Sequence, residues 1–262
     1  MTAVVDGAVQ VLVEGGCAVL ELDRPHRHNA LNRGMIQTLT EACEQLQDRD
    51  DVRVVVLRGC GPSFCVGGDI REFRDLADQS QEERRATLSA QVRILDALGA
   101  LRQVTVVVVQ GLAAGFGVSL VARCDVVLAG RSAEFALLEL VIGVVPAFVL
   151  LDVQRSMPDK QARDWLLTGE RRTAEQARDA GLVSRVVDDA DLDDAAAALV
   201  TALTGAAPRA LRRTVELYEE LRGNAETAEL RALDEAVQGL VTPEAREGIA
   251  AFLERRPPVW PA

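Results

Sequence analysis

The residues best suited to chemistry lie in one stretch of the chain, Val104–Gly143. A turn with Gly111, Gly115 and Gly117 leads into a helix-like segment, and the free N–H groups at a helix start stabilise negative charge. Glu139 then stands alone among apolar residues in FALLELVIG, which predicts a raised pKa and proton exchange near neutral pH. An oxyanion site beside an acid that transfers protons is the pairing that enolate chemistry requires.

A second glycine-punctuated loop, RGCGPSFCVGGDI, runs from Arg58 to Ile70. Its pair Gly67-Gly68 lets the main chain approach a ligand closely. Asp69 follows at a position where it can cap a short helix. The loop is therefore a second candidate for contact with a ligand.

Three other chemistries are disfavoured by the residues present. Cys65 has no basic partner in the sequence pattern that would make it a nucleophile. His26 and His28 lack a third ligand, so no metal site is expected. The turn GLAAGFG has the wrong glycine spacing for a dinucleotide fingerprint, and no ribose-binding acid follows it.

The composition indicates one large domain, or one domain with a small appendage, in a chain of 262 residues. The net charge of −11 argues against nucleic-acid binding, and no apolar run is long enough for a membrane span. Five cysteines without paired spacing, and an N-terminus without a signal-peptide pattern, predict reduced thiols and a cytoplasmic location. Because Lys160 is the single lysine, any phosphate contact must use arginine or main-chain N–H groups.

Strands and helices alternate around the two loops, which predicts an α/β layer fold with ligand loops at the carboxyl ends of strands. The predicted elements are a hairpin over Val9–Leu22, a helix capped by Asn32 with Met35, Ile36, Leu39 and Leu46 on its inner face, a buried strand Val52–Leu57, a short helix Asp69–Leu76, a polar mobile segment Asp78–Arg85, a helix Thr87–Leu101, a strand Val104–Val109, a helix Val118–Cys124 and a strand Asp125–Ala129.

The character of the chain changes after Gly143, where helices dominate. We expect helices over Pro146–Arg155 and Asp159–Thr168, a helix capped by Thr173 that ends near Gly181, a strand Val183–Val187, and then helices Leu192–Leu203, Pro208–Leu221, Ala225–Leu240 and Pro243–Arg255. This pattern divides the chain into a core over residues 1–190, which holds the site, and a helical region over residues 191–262. The helical region is expected to serve as a lid or as an oligomerisation element.

Several motifs, in order along almost the whole chain, resemble the crotonase (enoyl-CoA hydratase/isomerase) superfamily. They are LDRPHRHNALN at Leu22–Asn32, RVVVLRGCGPSFCVGGDI at Arg53–Ile70, VQGLAAGFGVSLVARCDVVLA at Val109–Ala129, AEFALLELVIGVVPA at Ala133–Ala147, LLTGERRTAEQARDAGLV at Leu166–Val183 and PEAREGIAAFLERRPP at Pro243–Pro258. The resemblance implies an α/β crotonase (ClpP-like) spiral of ββα units with a C-terminal helical region that builds a homotrimer or a hexamer. It also implies an acyl-CoA or acyl-carrier thioester as substrate, with no separate cofactor because CoA is part of the substrate.

The same resemblance assigns catalytic positions. The two main-chain donors of the family's oxyanion hole fall on Gly68 and Phe116, and the second of its two glutamates falls on Glu139. Phe116 stands where the family usually has glycine, so its ring is expected to narrow the acyl pocket. Ser119 occupies the position of the first glutamate. Its hydroxyl either bonds its own helix backbone or orients a water as an accessory group.

A single carboxylate favours reactions in which one proton is moved, such as isomerisation of a 3-enoyl to a 2-enoyl thioester. Protonation after decarboxylation and C–C bond formation use the same enolate. Hydration stays open, because the VVPAFV run at Val144–Val149 resembles hydratases of branched or dicarboxylic acyl groups. A crotonase-like protein that binds acyl-CoA without turnover is the alternative from another class.

The resemblance also places the CoA moiety. Its adenine and phosphates would lie near the PHRHNAL loop, where Arg27, His28 and Ala30 are the nearest candidates. Val66 is a further candidate contact, and Arg213 is a candidate in the later helix that often carries a basic CoA contact.

Overall fold

The computed structural model describes residues 3–5, 9–72, 79–140 and 143–222, together with residues 243, 247, 250, 251, 254 and 256–260. The predicted helix Ala225–Leu240 lies outside the described residues, as does most of the predicted helix Pro243–Arg255. Within the described ranges, no helix combines the length and the apolarity needed to cross a lipid bilayer.

Strands of the described chain form two sheets. The strands are β1 Ala3–Val5, β2 Val9–Glu14, β3 Cys17–Leu22, β4 Val54–Gly59, β5 Val104–Val109, β6 Leu112–Ala114, β7 Val126–Gly130, β8 Glu134–Ala136, β9 Arg172–Thr173 and β10 Arg185–Val187. The larger sheet has the order β1-β2-β3-β4-β5-β7-β10, and the smaller one has the order β6-β8-β9. Strands β1 to β3 pair antiparallel, whereas β3 to β10 of the larger sheet pair parallel.

Helices connect and cover these strands. They are α1 Arg33–Gln47, α2 Gln81–Gly99, α3 Phe116–Ala122, α4 Ala147–Ser156, α5 Asp159–Thr168, α6 Ala174–Asp179, α7 Leu192–Thr204 and α8 Pro208–Arg222. The predicted α/β fold is confirmed, and so are the hairpin, the strand β5 and the helix α5.

The strand β5 separates two apolar layers. All six of its residues are buried, as expected for a parallel strand covered on both faces. Val107 and Val109 belong to the core cluster that includes α1 and α2, whereas Val106 and Val108 pack in the cluster that includes α7. Because alternate side chains of β5 pack in the two clusters, the strand is held on both faces. The loop that follows β5 therefore starts from a rigid position.

Two helix starts differ from the prediction. Helix α2 begins at Gln81 rather than Thr87, because Ser80 and Glu83 form a capping box that starts the helix inside the segment predicted to be mobile. Helix α3 begins at Phe116, two residues before the predicted start, because Gly115 at φ +51° turns the chain directly into the helix. Of the short helix predicted after Asp69, residues 70–72 are helical and the remainder lies outside the described residues.

Candidate active site

The site lies where the loops after β4 and β5 meet. The loop after β4 pairs with β6: Cys65 N–H donates to the Leu112 carbonyl (3.2 Å), and Ala114 N–H donates to the Cys65 carbonyl (2.9 Å). Both loops follow the carboxyl ends of adjacent parallel strands, which is the usual position of ligand sites in α/β folds. The two glycine-rich segments singled out in the sequence are therefore neighbours in space.

The N–H group of Gly68 points away from the main chain that supports it. Leu31 N–H donates to the Gly67 carbonyl at 2.7 Å, and the chain has no cis peptide bond among the described residues. Across a trans peptide, the carbonyl of Gly67 and the N–H of Gly68 point in opposite directions. The Gly68 N–H is thus directed away from Leu31, and no described residue accepts a hydrogen bond from it.

The N–H group of Phe116 has a similar arrangement at the first turn of α3. The Gly115 carbonyl accepts a hydrogen bond from Val118 N–H at 2.8 Å, so the Phe116 N–H on the other side of that peptide points out of the helix start. A Cβ built on Gly67 would lie 3.1 Å from the Phe116 nitrogen, so the two main-chain segments are in close contact. Gly67 has φ +93°, a conformation that suits glycine.

Glu139 lies beside this pair of main-chain donors. A Cβ built on Gly115 would meet Glu139 Oε1 at 2.9 Å, so the carboxyl group packs against the turn that begins α3. Burial raises the pKa of Glu139 above its usual value, although its own N–H and that of Leu138 oppose the shift. Its Oε2 is buried and has no hydrogen-bond partner among the described residues. The predicted environment of Glu139 is therefore confirmed.

One cavity of about 370 Å³ connects these groups. Its described lining consists of Val66, Gly67, Gly68, Ile70, Leu88, Gln91, Ala114, Gly115, Phe116, Leu138, Glu139, Val144, Val145, Pro146, Ala147, Phe148 and Val149. Most of these residues are apolar, as is usual for pockets that bind small molecules. The structure thus brings Gly68, Phe116, Glu139 and Val66 to one cavity.

The ring of Phe116 lines this cavity without closing it. It packs edge-on against Phe148, with ring centroids 6.5 Å apart and an interplanar angle of 82°. Both residues line the cavity. Phe116 therefore keeps its main-chain N–H at this position, and two aromatic residues line the cavity.

Ser119 is fully buried in α3, and it is not among the residues that line the cavity. The prediction that its hydroxyl bonds its own backbone is wrong, because Ser119 Oγ has no hydrogen-bond partner among the described residues. Its proposed role of orienting a water stays a prediction.

A buried polar network, which the sequence analysis missed, holds the loop that carries Gly68. Asn29 is buried with φ +56°; its Oδ1 accepts from Arg24 N–H at 2.8 Å. Its Nδ2 donates to the carbonyls of Cys60, Ser63 and Phe64 at 2.8–3.0 Å. Asparagine tolerates positive φ, and this was the one sequence signal that could have identified it.

Asp69 belongs to the same network. It accepts from Arg71 N–H at 3.0 Å, which confirms the predicted cap, and it also pairs with Arg24 Nη1 at 2.7 Å. Burial raises the pKa of Asp69, but the hydrogen bonds from Arg24 and from the Arg71 N–H, together with the two positive charges, outweigh burial and hold that pKa below its usual value. Asp69 is therefore a charged structural anchor next to Gly68.

The candidate CoA contacts fall in two places. Arg27 and His28 are exposed on the loop whose His28 carbonyl accepts from Val66 N–H at 3.2 Å, so this loop runs along the cavity wall. Ala30 is buried, and its carbonyl accepts from Arg24 Nη1 at 2.9 Å. Arg213 instead pairs with Glu220 at 2.8 Å and lines a separate cavity with Asp50 and Arg102.

Two alternative chemistries find no support at the site. Burial raises the pKa of the Cys65 thiol to about 12, so Cys65 stays protonated near neutral pH and is a poor nucleophile. Among the described residues, no group of three or more His, Cys, Asp or Glu is arranged to hold a metal ion.

Comparisons with known proteins agree with one another. A family model described as "Enoyl-CoA hydratase/isomerase" matches residues 13–262. The "Probable enoyl-CoA hydratase echA8" of Mycobacterium bovis is 32% identical over 247 residues, covering 92% of this chain and 92% of that protein. The crystal structure of an enoyl-CoA hydratase from Mycobacterium smegmatis superposes with a TM-score of 0.91 at 32% identity, covering 97% of this chain and 98% of the other. Human enoyl Coenzyme A hydratase domain-containing protein 3 has a TM-score of 0.90 at 25% identity, covering 97% of this chain and 100% of the other.

Proposed function

Because the chain belongs to the enoyl-CoA hydratase/isomerase family and has the crotonase fold, we propose that it acts on acyl-CoA thioesters through an enolate. The specific reaction that we propose is isomerisation of a 3-enoyl to a 2-enoyl thioester. One observation carries this choice: Glu139 is the only titratable side chain among the described residues that line the cavity. A single acid can move a proton between two carbons without a second carboxylate.

The main-chain donors support the first half of the reaction. The thioester oxygen accepts hydrogen bonds from the N–H groups of Gly68 and Phe116, which have no acceptor among the described residues. These donors become more effective as the oxygen gains negative charge in the enolate. Each donor of this kind lowers the barrier by about 3–4 kcal/mol in known oxyanion holes.

Glu139 performs the proton transfer. Its carboxylate removes a proton from C2 of the 3-enoyl thioester, and the electron pair of that C–H bond delocalises through C2 onto the thioester oxygen. The same carboxyl group then returns the proton to C4, so the double bond moves from C3–C4 to C2–C3 with no net loss or gain of atoms. Burial supports this role, because it raises the pKa of Glu139 and makes the carboxylate a stronger base.

Hydration of a 2-enoyl thioester is the second candidate reaction, and the hydratase names of the relatives favour it. The burial of Ser119 outside the cavity lining argues against it, because a water would then be oriented by Glu139 with no second acid at that position. Binding without turnover is less favoured, because the ring of Phe116 leaves the cavity open.

We place the CoA moiety along the loop with Arg27 and His28. Both side chains are exposed beside the wall formed by Val66, and Arg27 has no ion-pair partner among the described residues. An arginine can bind a CoA phosphate through two N–H groups. Arg213 lines a different cavity, so it contacts CoA at this site only if another subunit brings it there. Its role stays a prediction. The homotrimer or hexamer is also a prediction, which sedimentation velocity can test.

The test is incubation with matched 3-enoyl, 2-enoyl and 2-carboxyacyl CoA thioesters, analysed by mass spectrometry and by ultraviolet absorbance of the conjugated thioester. Isomerisation leaves the mass unchanged and creates the conjugated product. Addition of water to the 2-enoyl thioester without turnover of the 3-enoyl thioester would replace this proposal by hydration. Loss of carbon dioxide from the third substrate would replace it by decarboxylation.

A further inference from the structure

One polar side chain in the cavity has no part in the mechanism above. Gln91 lies on α2 and lines the cavity together with Leu88, which is three residues earlier on the same helix face. Gln91 is only 6% exposed. No described residue forms a hydrogen bond with its amide group.

A ligand that fills the cavity takes the solvent away from the Gln91 amide. If that ligand offers no hydrogen bond, the amide is left buried and unpaired, which costs free energy. The other side chains that line this cavity, apart from Glu139, are apolar in the part of the chain that the structure describes. A plain hydrocarbon acyl chain would remove water from Gln91 and leave its amide unpaired, whereas an oxygen on the chain would satisfy it.

We infer that the Gln91 amide binds an uncharged oxygen substituent, a hydroxyl or a carbonyl, on the acyl group of the substrate. Gln91 is then a specificity-determining residue, and the acyl-CoA thioesters that this enzyme prefers carry such an oxygen beyond the reacting carbons. This inference rests on the proposed function, because it assumes that the acyl group occupies the cavity of Gly68, Phe116 and Glu139.

The lack of positive charge among the described lining residues argues against the main alternative ligand, a dicarboxylic acyl group. No arginine, lysine or histidine is among the described residues that line the cavity. A carboxylate on the acyl chain would therefore lose its hydration without gaining a counter-ion, and it would share the cavity with Glu139. The neutral amide of Gln91 can donate and accept hydrogen bonds, which suits a hydroxyl or a carbonyl.

The experiment measures binding, so that it does not depend on turnover. Hexanoyl-CoA is compared with its 4-, 5- and 6-hydroxy derivatives by isothermal titration calorimetry, with the wild type and with Gln91→Leu. Leucine has a similar size and no polar group. We expect at least one hydroxy derivative to bind the wild type about tenfold more tightly than hexanoyl-CoA, and Gln91→Leu to lose this preference.

Leu88→Ala is the matched control, because it changes the same cavity wall without removing a hydrogen-bonding group. It should alter the affinity of all four thioesters by the same factor. Thermal unfolding of each variant confirms that it is folded. Equal affinities for all four thioesters in the wild type would overturn the inference, and so would a hydroxyl preference that survives in Gln91→Leu.

Turnover of a 3-enoyl thioester is measured in parallel and separates the two proposals. Turnover by a wild type that shows no hydroxyl preference would refute the role of Gln91 and leave the isomerase proposal standing. A hydroxyl preference that depends on Gln91, without turnover, would refute the isomerase proposal and leave the role of Gln91 standing.

Discussion

Two neighbouring regions differ in whether their polar groups form hydrogen bonds within the protein. In the loop network, which we define as Arg24, Asn29 and Asp69, the buried amide and carboxylate form hydrogen bonds and an ion pair with residues of the loops that they join. In the cavity wall, Glu139 Oε2 and the amide of Gln91 have no partner among the described residues. The first arrangement stabilises the fold, whereas the buried, unpaired oxygen of Glu139 costs stability.

The difference shows how the site divides its tasks. The loop network fixes the main chain next to Gly68, so the N–H group of that residue keeps its direction before a substrate arrives. In the proposed mechanism, the groups of the cavity wall find their partners in the substrate. Stability and function are therefore concentrated in adjacent but separate sets of residues, and mutations should separate them.

The largest effect is expected for Glu139→Gln. The amide cannot accept a proton, so turnover of the thioester substrate should fall by about 10²–10⁴-fold. Binding of a saturated acyl-CoA should change little, because size and shape are kept. Steady-state kinetics and calorimetry measure the two effects. Full activity in this variant would remove Glu139 from the mechanism.

Asn29→Ala should produce the opposite pattern. It removes the acceptor for Arg24 N–H and the donor to three carbonyls, so the free energy of unfolding should fall by about 3 kcal/mol. Urea denaturation measures the loss. Asn29→Gly is the matched control, because it removes the same bonds but tolerates the φ of +56°. If Asn29→Ala were as stable as the wild type, the loop network would not be a stabilising element.

The fold was predictable where local pattern decides it. The valine run of β5, the Asn32 cap of α1 and the Thr173 cap of α6 all follow from short-range sequence features. The start of α2 was missed because the capping box of Ser80 and Glu83 lies within a polar segment that resembles a loop.

The candidate site was predictable only in part. The apolar environment of the Glu139 carboxyl group follows from its neighbours in sequence. The donor roles of Gly68 and Phe116 came from the family resemblance. For Asn29 the only signal in the sequence was the tolerance of asparagine for positive φ, and for Gln91 there was none. The hydrogen bonds of Asn29 and the cavity position of Gln91 depend on residues far away in the chain. The short strands β8 and β9 could not be predicted either, because they pair with each other across a long stretch of sequence.

The pH dependence of stability should differ in sign between the two carboxylates. Burial raises the pKa of Glu139 in the folded state, so the wild type should lose stability relative to Glu139→Gln as pH rises through that raised value. Arg24 and the Arg71 N–H outweigh burial at Asp69 and lower its pKa. Its stabilisation is complete above the unfolded pKa and is lost as pH falls through the folded value.

Thermal unfolding of the wild type, Glu139→Gln and Asp69→Asn across the acidic and neutral range measures both effects. We expect Asp69→Asn to be less stable than the wild type by about 2 kcal/mol at neutral pH, and this gap should narrow in acid. If the stabilities of the two variants relative to the wild type changed with pH in the same direction, the predicted contrast between Glu139 and Asp69 would be wrong.

The smallest effect is expected for Ser119→Ala. The variant removes a buried hydroxyl that has no partner among the described residues, so stability should stay equal or rise by about 1 kcal/mol. Because Ser119 is not among the described residues that line the cavity, the rate of the proposed isomerisation should change by less than about twofold. A tenfold loss of hydration activity would show that the hydroxyl orients a water.

The most direct test of enolate chemistry is proton exchange at C2 of a saturated acyl-CoA in heavy water, followed by mass spectrometry. It needs neither a double bond nor added water, so it probes only the two main-chain donors and Glu139. The account predicts that the wild type catalyses deuterium incorporation at C2 and that Glu139→Gln does not. Equal incorporation by both proteins, or none by the wild type while the thioester binds, would contradict it.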